Sequence, residues 1–238
     1  MIDNTYSGKF IVIEGLDGSG KNTQFNLLVK RLEENGHQIE KIDFPQYGKK
    51  SAGLVEEYLN GKYGSSEKVG PYRASIFYAC DRYDASFKIK EWLEQGKIVI
   101  SDRYIASNMG HQGGKIRDPQ EREKYLKWLY DFEYDLLGIP KPDFNIILKT
   151  SPEFSIKLAN KITDKIKKEK REAYLGDSEK HDIHEKDAEH LKNTLASYLK
   201  LTEEYPNEFK VIECIENDNL LPPDVIHEKV WKLVKEIL

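Results

Sequence analysis

The sequence predicts an α/β domain, a parallel β-sheet with helices on both faces. Three observations carry this expectation. Five short β-branched runs recur, KFIVI (9–13), HQIEKI (37–42), KIVIS (97–101), FNIILK (144–149) and FKVIEC (209–214), separated by longer stretches with helical periodicity. Such alternation joins parallel strands through helical crossovers. A glycine-rich loop follows the first run directly and opens the first helix. The composition, 39% hydrophobic and 33% charged over 238 residues, supplies a substantial core.

The length fits one domain, expected to span 1–238 with an inserted segment at 161–181. Thirty-seven Lys and Arg against 41 Asp and Glu leave a formal charge of −4, so no global basic field points to nucleic acid or a membrane surface. The longest apolar runs fall far short of the roughly 18 residues a bilayer span needs, and the first residues, MIDNTYSGKFIVIEG, lack a secretory pattern. The expected location is the cytoplasm. Cys80 and Cys214 cannot make a disulfide framework or a metal cluster and are expected as buried free thiols.

After the first strand, Gly15-Leu16-Asp17-Gly18-Ser19-Gly20-Lys21 has the G-x-x-x-x-G-K spacing of a phosphate-binding loop. Its glycines let the backbone turn so that successive N–H groups face a phosphate, the helix start adds its positive end, and Lys21 supplies a full charge. Asn22 stands where the pattern asks for a Ser or Thr hydroxyl on Mg²⁺, and Thr23 follows one place late. The first helix carries its apolar stripe at Phe25, Leu28, Val29 and Leu32. Such a loop serves GTPases, ATPases and kinases alike, but the N-K-x-D motif of a guanine site is missing from the sequence.

Phe44-Pro45-Gln46-Tyr47-Gly48 comes just past the second strand, where open α/β sheets bind ligands, although an aromatic pair around a proline also reads as loop packing. GKYGSSEKVG (61–70) is a polar connection. Within the long helix that follows, Tyr78 and Arg82 lie at i and i+4, so a ring and a guanidinium could hold one planar base; a surface ion pair of Arg82 with Asp81 or Asp84 is the plainer reading. Ser101-Asp102-Arg103-Tyr104 ends the third strand, where a carboxylate can order water on Mg²⁺ and an arginine can bridge phosphoryl oxygens. Trp128, Leu129, Phe132 and Leu136 repeat a core-facing stripe. Gly138-Ile139-Pro140-Lys141-Pro142-Asp143 stops that helix and aims the fourth strand. The charge-dense stretch 161–181, KITDKIKKEKREAYLGDSEKH, is either a solvated surface loop or a cationic lid over an anion, and a further helix begins near 182.

In order, the phosphate loop, F-P-x-Y-G, F-Y-A-x-D-R, D-R-Y-x-x-S-N, G-x-P-K-P-D and D-I-H-E-x-D resemble the thymidylate kinase family over residues 9 to 215. The resemblance implies a P-loop kinase fold with a five-stranded parallel sheet, ATP as donor, dTMP as acceptor, Mg²⁺ as cofactor and a homodimer. It makes Lys21 the ligand of the donor phosphates and puts Asp17 near the acceptor sugar and the metal. Phe44 and Tyr47 would border the acceptor, Tyr78 would stack on thymine, Arg82 would reach the base and Arg103 the acceptor phosphate. Asp102 matches the metal-organising carboxylate, and Asn108 and Gln112 match positions lining pyrimidine and sugar. His111 departs from the aromatic that many relatives place beside the deoxyribose. With no arginine from Leu16 to Ser19, the lid's single arginine, Arg171, becomes the candidate catalytic cation, helped by Lys165, Lys167, Lys168 and Lys170. Asp182, His184 and Glu185 would return the lid to the core, with Asp182 near the acceptor or its metal. A kinase for another nucleotide or nucleoside, or a silent nucleotide sensor of the same fold, are the alternatives.

Overall fold

The computed structural model describes residues 6–159 and 188–238. Its central sheet holds five parallel strands in the order β2-β3-β1-β4-β5: β1 (Lys9–Gly15), β2 (Ile39–Asp43), β3 (Ile98–Asp102), β4 (Phe144–Lys149) and β5 (Phe209–Glu213). All five β-branched runs are strands, displaced by at most two residues at an end. Side chains of β1 alternate between two cores, Phe10 and Val12 to one face and Ile11 and Ile13 to the other, as a sheet covered on both sides requires.

Helix α1 (Lys21–Glu34) covers one face together with the C-terminal α9 (Pro223–Val234), through Leu28, Val29, Leu32, Ile226 and Val230. The other face carries α4 (Pro71–Glu94), α5 (Ile105–Gly113), α6 (Pro119–Tyr130) and α8 (Ala188–Glu204). Between β2 and α4, α2 (Gly53–Leu59) and the short α3 (Ser66–Val69) form a third cluster around Tyr58. Ser65 caps α3, so the polar connection at 61–70 holds one helical turn. After β4 comes α7 (Pro152–Ala159). A small hairpin, β6 (Ile215–Glu216) and β7 (Asn219–Leu220), turns at Asn217 and Asp218, both at positive φ.

Parallel strands deliver their following loops to one edge. Ile13 of β1 lies opposite Asp102 of β3, and Asp102 lies opposite Asp43 of β2. The phosphate loop, Arg103 and Phe44 therefore leave the sheet side by side. At the other end of β1, Asp143 accepts a hydrogen bond from the Phe10 N–H at 2.8 Å, so the Gly-Ile-Pro-Lys-Pro-Asp stretch registers β4 on β1.

Two expectations about the core fail. Leu136 is 74% exposed, because α6 runs on into a π-helical turn, Asp131–Leu136, whose wider pitch rotates Leu136 off the buried stripe that Leu129 keeps. Cys214 is buried as expected, but Cys80 is exposed, on the outer face of α4 with Ile76, Tyr83 and Phe87. Among the described residues, no helix is long and apolar enough to cross a membrane.

Candidate active site

The phosphate loop is shaped by close backbone contact. Gly15 has φ +140°, and a Cβ there would sit 2.8 Å from the Leu148 carbonyl oxygen of β4 and 2.8 Å from Ser19 Oγ. Any side chain would therefore push β1 away from its neighbour. Lys21, at the start of α1, folds back so that Nζ donates to the carbonyls of Gly15 (3.0 Å) and Leu16 (2.8 Å), with the Asp17 carboxylate 4.0 Å away. Burial and the nearby Arg103 charge lower the Lys21 pKa to about 8, against the pull of Asp17, Asp102 and Glu14. Ser19 Oγ is buried with no hydrogen-bond partner among the described residues, a polar atom aimed into a loop built for an anion.

Arg103 is the loop's counterpart from β3. It holds φ +71°, a conformation that costs a non-glycine residue about 1–3 kcal/mol and persists where the surroundings impose it. Its N–H donates to the Ile13 carbonyl at 3.0 Å, and its own carbonyl accepts from Ser101 Oγ at 2.5 Å. The guanidinium pairs with Asp17 through Nη2, while Nη1 lies 3.2 Å from Ser107 Oγ and 3.4 Å from His111 Nε2. Burial opposes its charge, but Asp17, Tyr198, Asp102 and Glu14 outweigh that and raise its pKa. Lys21 and Arg103 thus converge on Asp17, with Asp102 close enough to act on both cations.

The other expected contacts are less uniform. Phe44 is buried and tilted against Tyr104, with ring centroids 5.5 Å apart, so it serves the core as well as the edge. Tyr47 and Tyr78 are half-buried, and Tyr78 meets Tyr58 edge-on at 6.4 Å. Asn108 is buried and donates to the Ser75 carbonyl at 3.2 Å, one turn from Tyr78 on α4. Gln112 is buried and accepts from Lys115 at 2.8 Å. His111 faces Arg103 and the ring of His190, 5.7 Å between centroids. Arg82, expected beside Tyr78 at the base, is buried in an ion pair: its Nε and Nη2 both donate to Glu133 at 2.6 Å, with only 2% of Arg82 and none of Glu133 exposed. Asp81 is no surface ion-pair partner; it is buried and receives Gln46 N–H at 2.8 Å and Ser51 Oγ at 2.6 Å, hanging the Phe-Pro-Gln-Tyr loop on α4. Arg171 and Asp182 lie outside the described residues, as does the segment 161–181.

Magnesium suits the donors present, since the carboxylates of Asp17 and Asp102 are hard oxygen ligands beside an anion loop. Among the described residues, no group of three or more His, Cys, Asp or Glu side chains could cage a metal without help. Asn22 and Thr23 are both exposed in the first turn of α1.

Sequence reasoning passed over Glu14 and Glu133. Glu14 had a visible signal, a carboxylate closing an otherwise apolar strand, IVIEG. Glu133, within DFEYD, had none, because its burial depends on the π turn.

A parallel sheet in this order, with a glycine loop and Asp17, Lys21 and Arg103 gathered at its carboxyl edge, defines a P-loop kinase fold with a phosphate site. The chain belongs to the thymidylate kinase family, whose profile, described as Thymidylate kinase, matches residues 13–220. It is 31% identical over 237 residues to the probable thymidylate kinase of Thermococcus kodakarensis, covering 96% of this chain and 98% of that one. It is 30% identical over 192 residues to thymidylate kinase of Mycobacterium tuberculosis, covering 80% and 84%. The thymidylate kinase structure from Candida albicans shares the fold, with a TM-score of 0.68 at 22% identity over 96% of this chain and 92% of that one.

Proposed function

We infer that this chain transfers the γ-phosphoryl group of ATP to the 5′-phosphate of dTMP, giving ADP and dTDP. The observation that carries the reading is the Asp17–Lys21–Arg103 cluster at the mouth of the phosphate loop, in a chain of this family. An oxygen of the dTMP phosphate, already ionised, attacks the γ-phosphorus. The bond to the oxygen bridging the β- and γ-phosphates breaks, and its electron pair leaves on ADP. No strong general base is required, so catalysis rests on positioning and charge stabilisation.

Lys21 leaves the Gly15 and Leu16 carbonyls for donor phosphate oxygens, which restores its full charge. The backbone of residues 15–20, Ser19 Oγ, Asn22 and Thr23 frame the same phosphates. Arg103 releases Asp17 in part to take the acceptor phosphate, holding attacking and transferred groups in line. Tyr78 stacks on the thymine, with Phe44, Tyr47, Asn108 and Gln112 around it and His111 toward the sugar. Arg82 braces the same wall, two of its nitrogens anchored on Glu133. Asp17 and Asp102 would hold Mg²⁺, which would supply neutralisation of phosphate charge. With segment 161–181 in the role of the lid of the single domain, Arg171 supplies a further cation and Asp182 a contact to the acceptor. The location is the cytoplasm, and the partner is a second copy of the chain: Ile76, Cys80, Tyr83 and Phe87 recur at helical spacing on the exposed face of α4, with Phe87 61% exposed.

A product assay with ATP and Mg²⁺ against a panel of nucleoside monophosphates tests the reading. dTMP is the expected best acceptor, with dUMP weaker by about 1–3 kcal/mol for the missing methyl group. A preference for dGMP or AMP would overturn the acceptor assignment while keeping a kinase.

A further inference from the structure

Glu14, the last residue of β1 before Gly15, is fully buried and takes no part in the steps above. Oε1 accepts the N–H groups of Tyr104 (2.7 Å) and Ser107 (3.1 Å), and Oε2 accepts the hydroxyls of Ser107 (2.6 Å) and Tyr198 (3.0 Å). One carboxylate thus ties β1 to α5 and α8. Burial raises its pKa, while Arg103, Ser107, Tyr104 and Tyr198 favour its charge.

The placement is specific to Arg103. Tyr104, the N-cap residue of α5, offers no side-chain cap, and Glu14 supplies one from a different strand, at the helix end where a negative charge is favoured. Arg103 directly precedes that cap and is held at positive φ. Its N–H is fixed by Ile13, the neighbour of Glu14, and the next N–H by Glu14 itself. On the side-chain side, Nη1 donates to Ser107 Oγ, whose proton goes to Glu14 Oε2. Gly110 permits the third tie, since a Cβ there would lie 2.9 Å from the Tyr198 ring that reaches Glu14.

We propose that Glu14 is the positioning residue of Arg103, gripping its backbone through Tyr104 N–H and its guanidinium through Ser107 Oγ. Its kinetic consequence rests on the phosphoryl-transfer reading. Its structural consequence, an ordered Arg103 side chain, does not.

Two measurements on Glu14→Gln test it. In protein labelled with ¹⁵N-arginine, the Arg103 Nε–H signal, assigned by its loss in Arg103→Ala, should become more mobile in Glu14→Gln; an unchanged signal would overturn the proposal. In turnover, Glu14→Gln should lower kcat at least about tenfold while ATP affinity stays within about threefold, and it should add less than about twofold on top of Arg103→Ala. Equal losses in both backgrounds, or a parallel loss of ATP affinity, would mean that Glu14 serves the fold and not Arg103. Wild-type protein without turnover on any monophosphate would defeat the proposed function, and the NMR arm would still decide the role of Glu14. Should Glu14→Gln not fold, Ser107→Ala cuts the guanidinium branch and leaves the backbone cap; it should mobilise the same signal, and an unmoved one would again overturn the proposal.

Discussion

At the phosphate site, Asp17 and Lys21 come from the loop and helix start that follow β1, Arg103 comes from the end of the adjacent β3, and both cations reach the Asp17 carboxylate. On the base side, Tyr78, Arg82, Asn108 and Gln112 come from two packed helices, and all four are engaged with protein groups, Tyr78 with Tyr58, Arg82 with Glu133, Asn108 with Ser75 and Gln112 with Lys115. The contrast follows from geometry. A phosphate is bound by backbone and a few charges that a strand end supplies locally, whereas a base needs a wall assembled from distant segments, whose polar groups must be satisfied until the ligand arrives. The phosphate half is therefore built at the strand ends, and the base half doubles as core.

The largest effect is expected from the lid. Because the phosphate loop carries no arginine from Leu16 to Ser19, Arg171→Ala should lower kcat by roughly 10³ to 10⁵ with a smaller change in dTMP affinity, and Lys should restore little because an ammonium lacks the planar fork. Steady-state kinetics decide this; a kcat within about twofold of wild type would leave 161–181 a solvated segment.

The acceptor wall is tested next through its buried ion pair. Arg82→Met leaves Glu133 charged in the core, which should cost about 3–5 kcal/mol in urea unfolding, and adding Glu133→Leu should recover most of that. If the recovered double variant also keeps wild-type affinity for dTMP, Arg82 is a brace alone; a selective loss of dTMP affinity makes it a base contact too.

A third effect separates the halves by pH. Lys21 without ligand titrates near 8, and phosphate raises that value, so ATP binding takes up a proton above pH 8 and affinity should fall with rising pH, by up to about tenfold per unit. Stability of the protein without ligand moves the other way: between about 8 and 10.5 the unfolded chain holds the Lys21 proton and the folded one does not, so this residue's contribution to stability grows with pH. Calorimetric titration at pH 7 and 9 checks the first, and Lys21→Met should flatten it. The smallest effect lies outside both halves: exposed Cys80 should be alkylated in native protein, more slowly as concentration favours pairing through α4, while Cys214, buried and pushed up to about 12 chiefly by desolvation, should react only after unfolding.

The same contrast explains what was legible beforehand. All five strands were readable because each is a short β-branched run between helical stretches, the edge strand β2 included although none of its residues is buried, and the phosphate loop was readable because seven consecutive residues define it. Burial of Arg82 was not, since i, i+4 spacing shows that Tyr78 and Arg82 share a side of α4 without showing what packs there. Leu136 failed for a related reason: a helical stripe assumes constant pitch, and the π turn at 131–136 breaks it. Cys80 sits beside the buried Ala79 and Asp81, and local composition does not mark which way it turns.

The measurement that tests the account most directly is ³¹P NMR of wild-type protein and Lys21→Met, side by side, with ATP, Mg²⁺ and dTMP. The account predicts ADP and dTDP rising in equal amounts with wild type and no transfer with a folded Lys21→Met. ADP without dTDP from wild type, or dTDP from Lys21→Met at the wild-type rate, would contradict it.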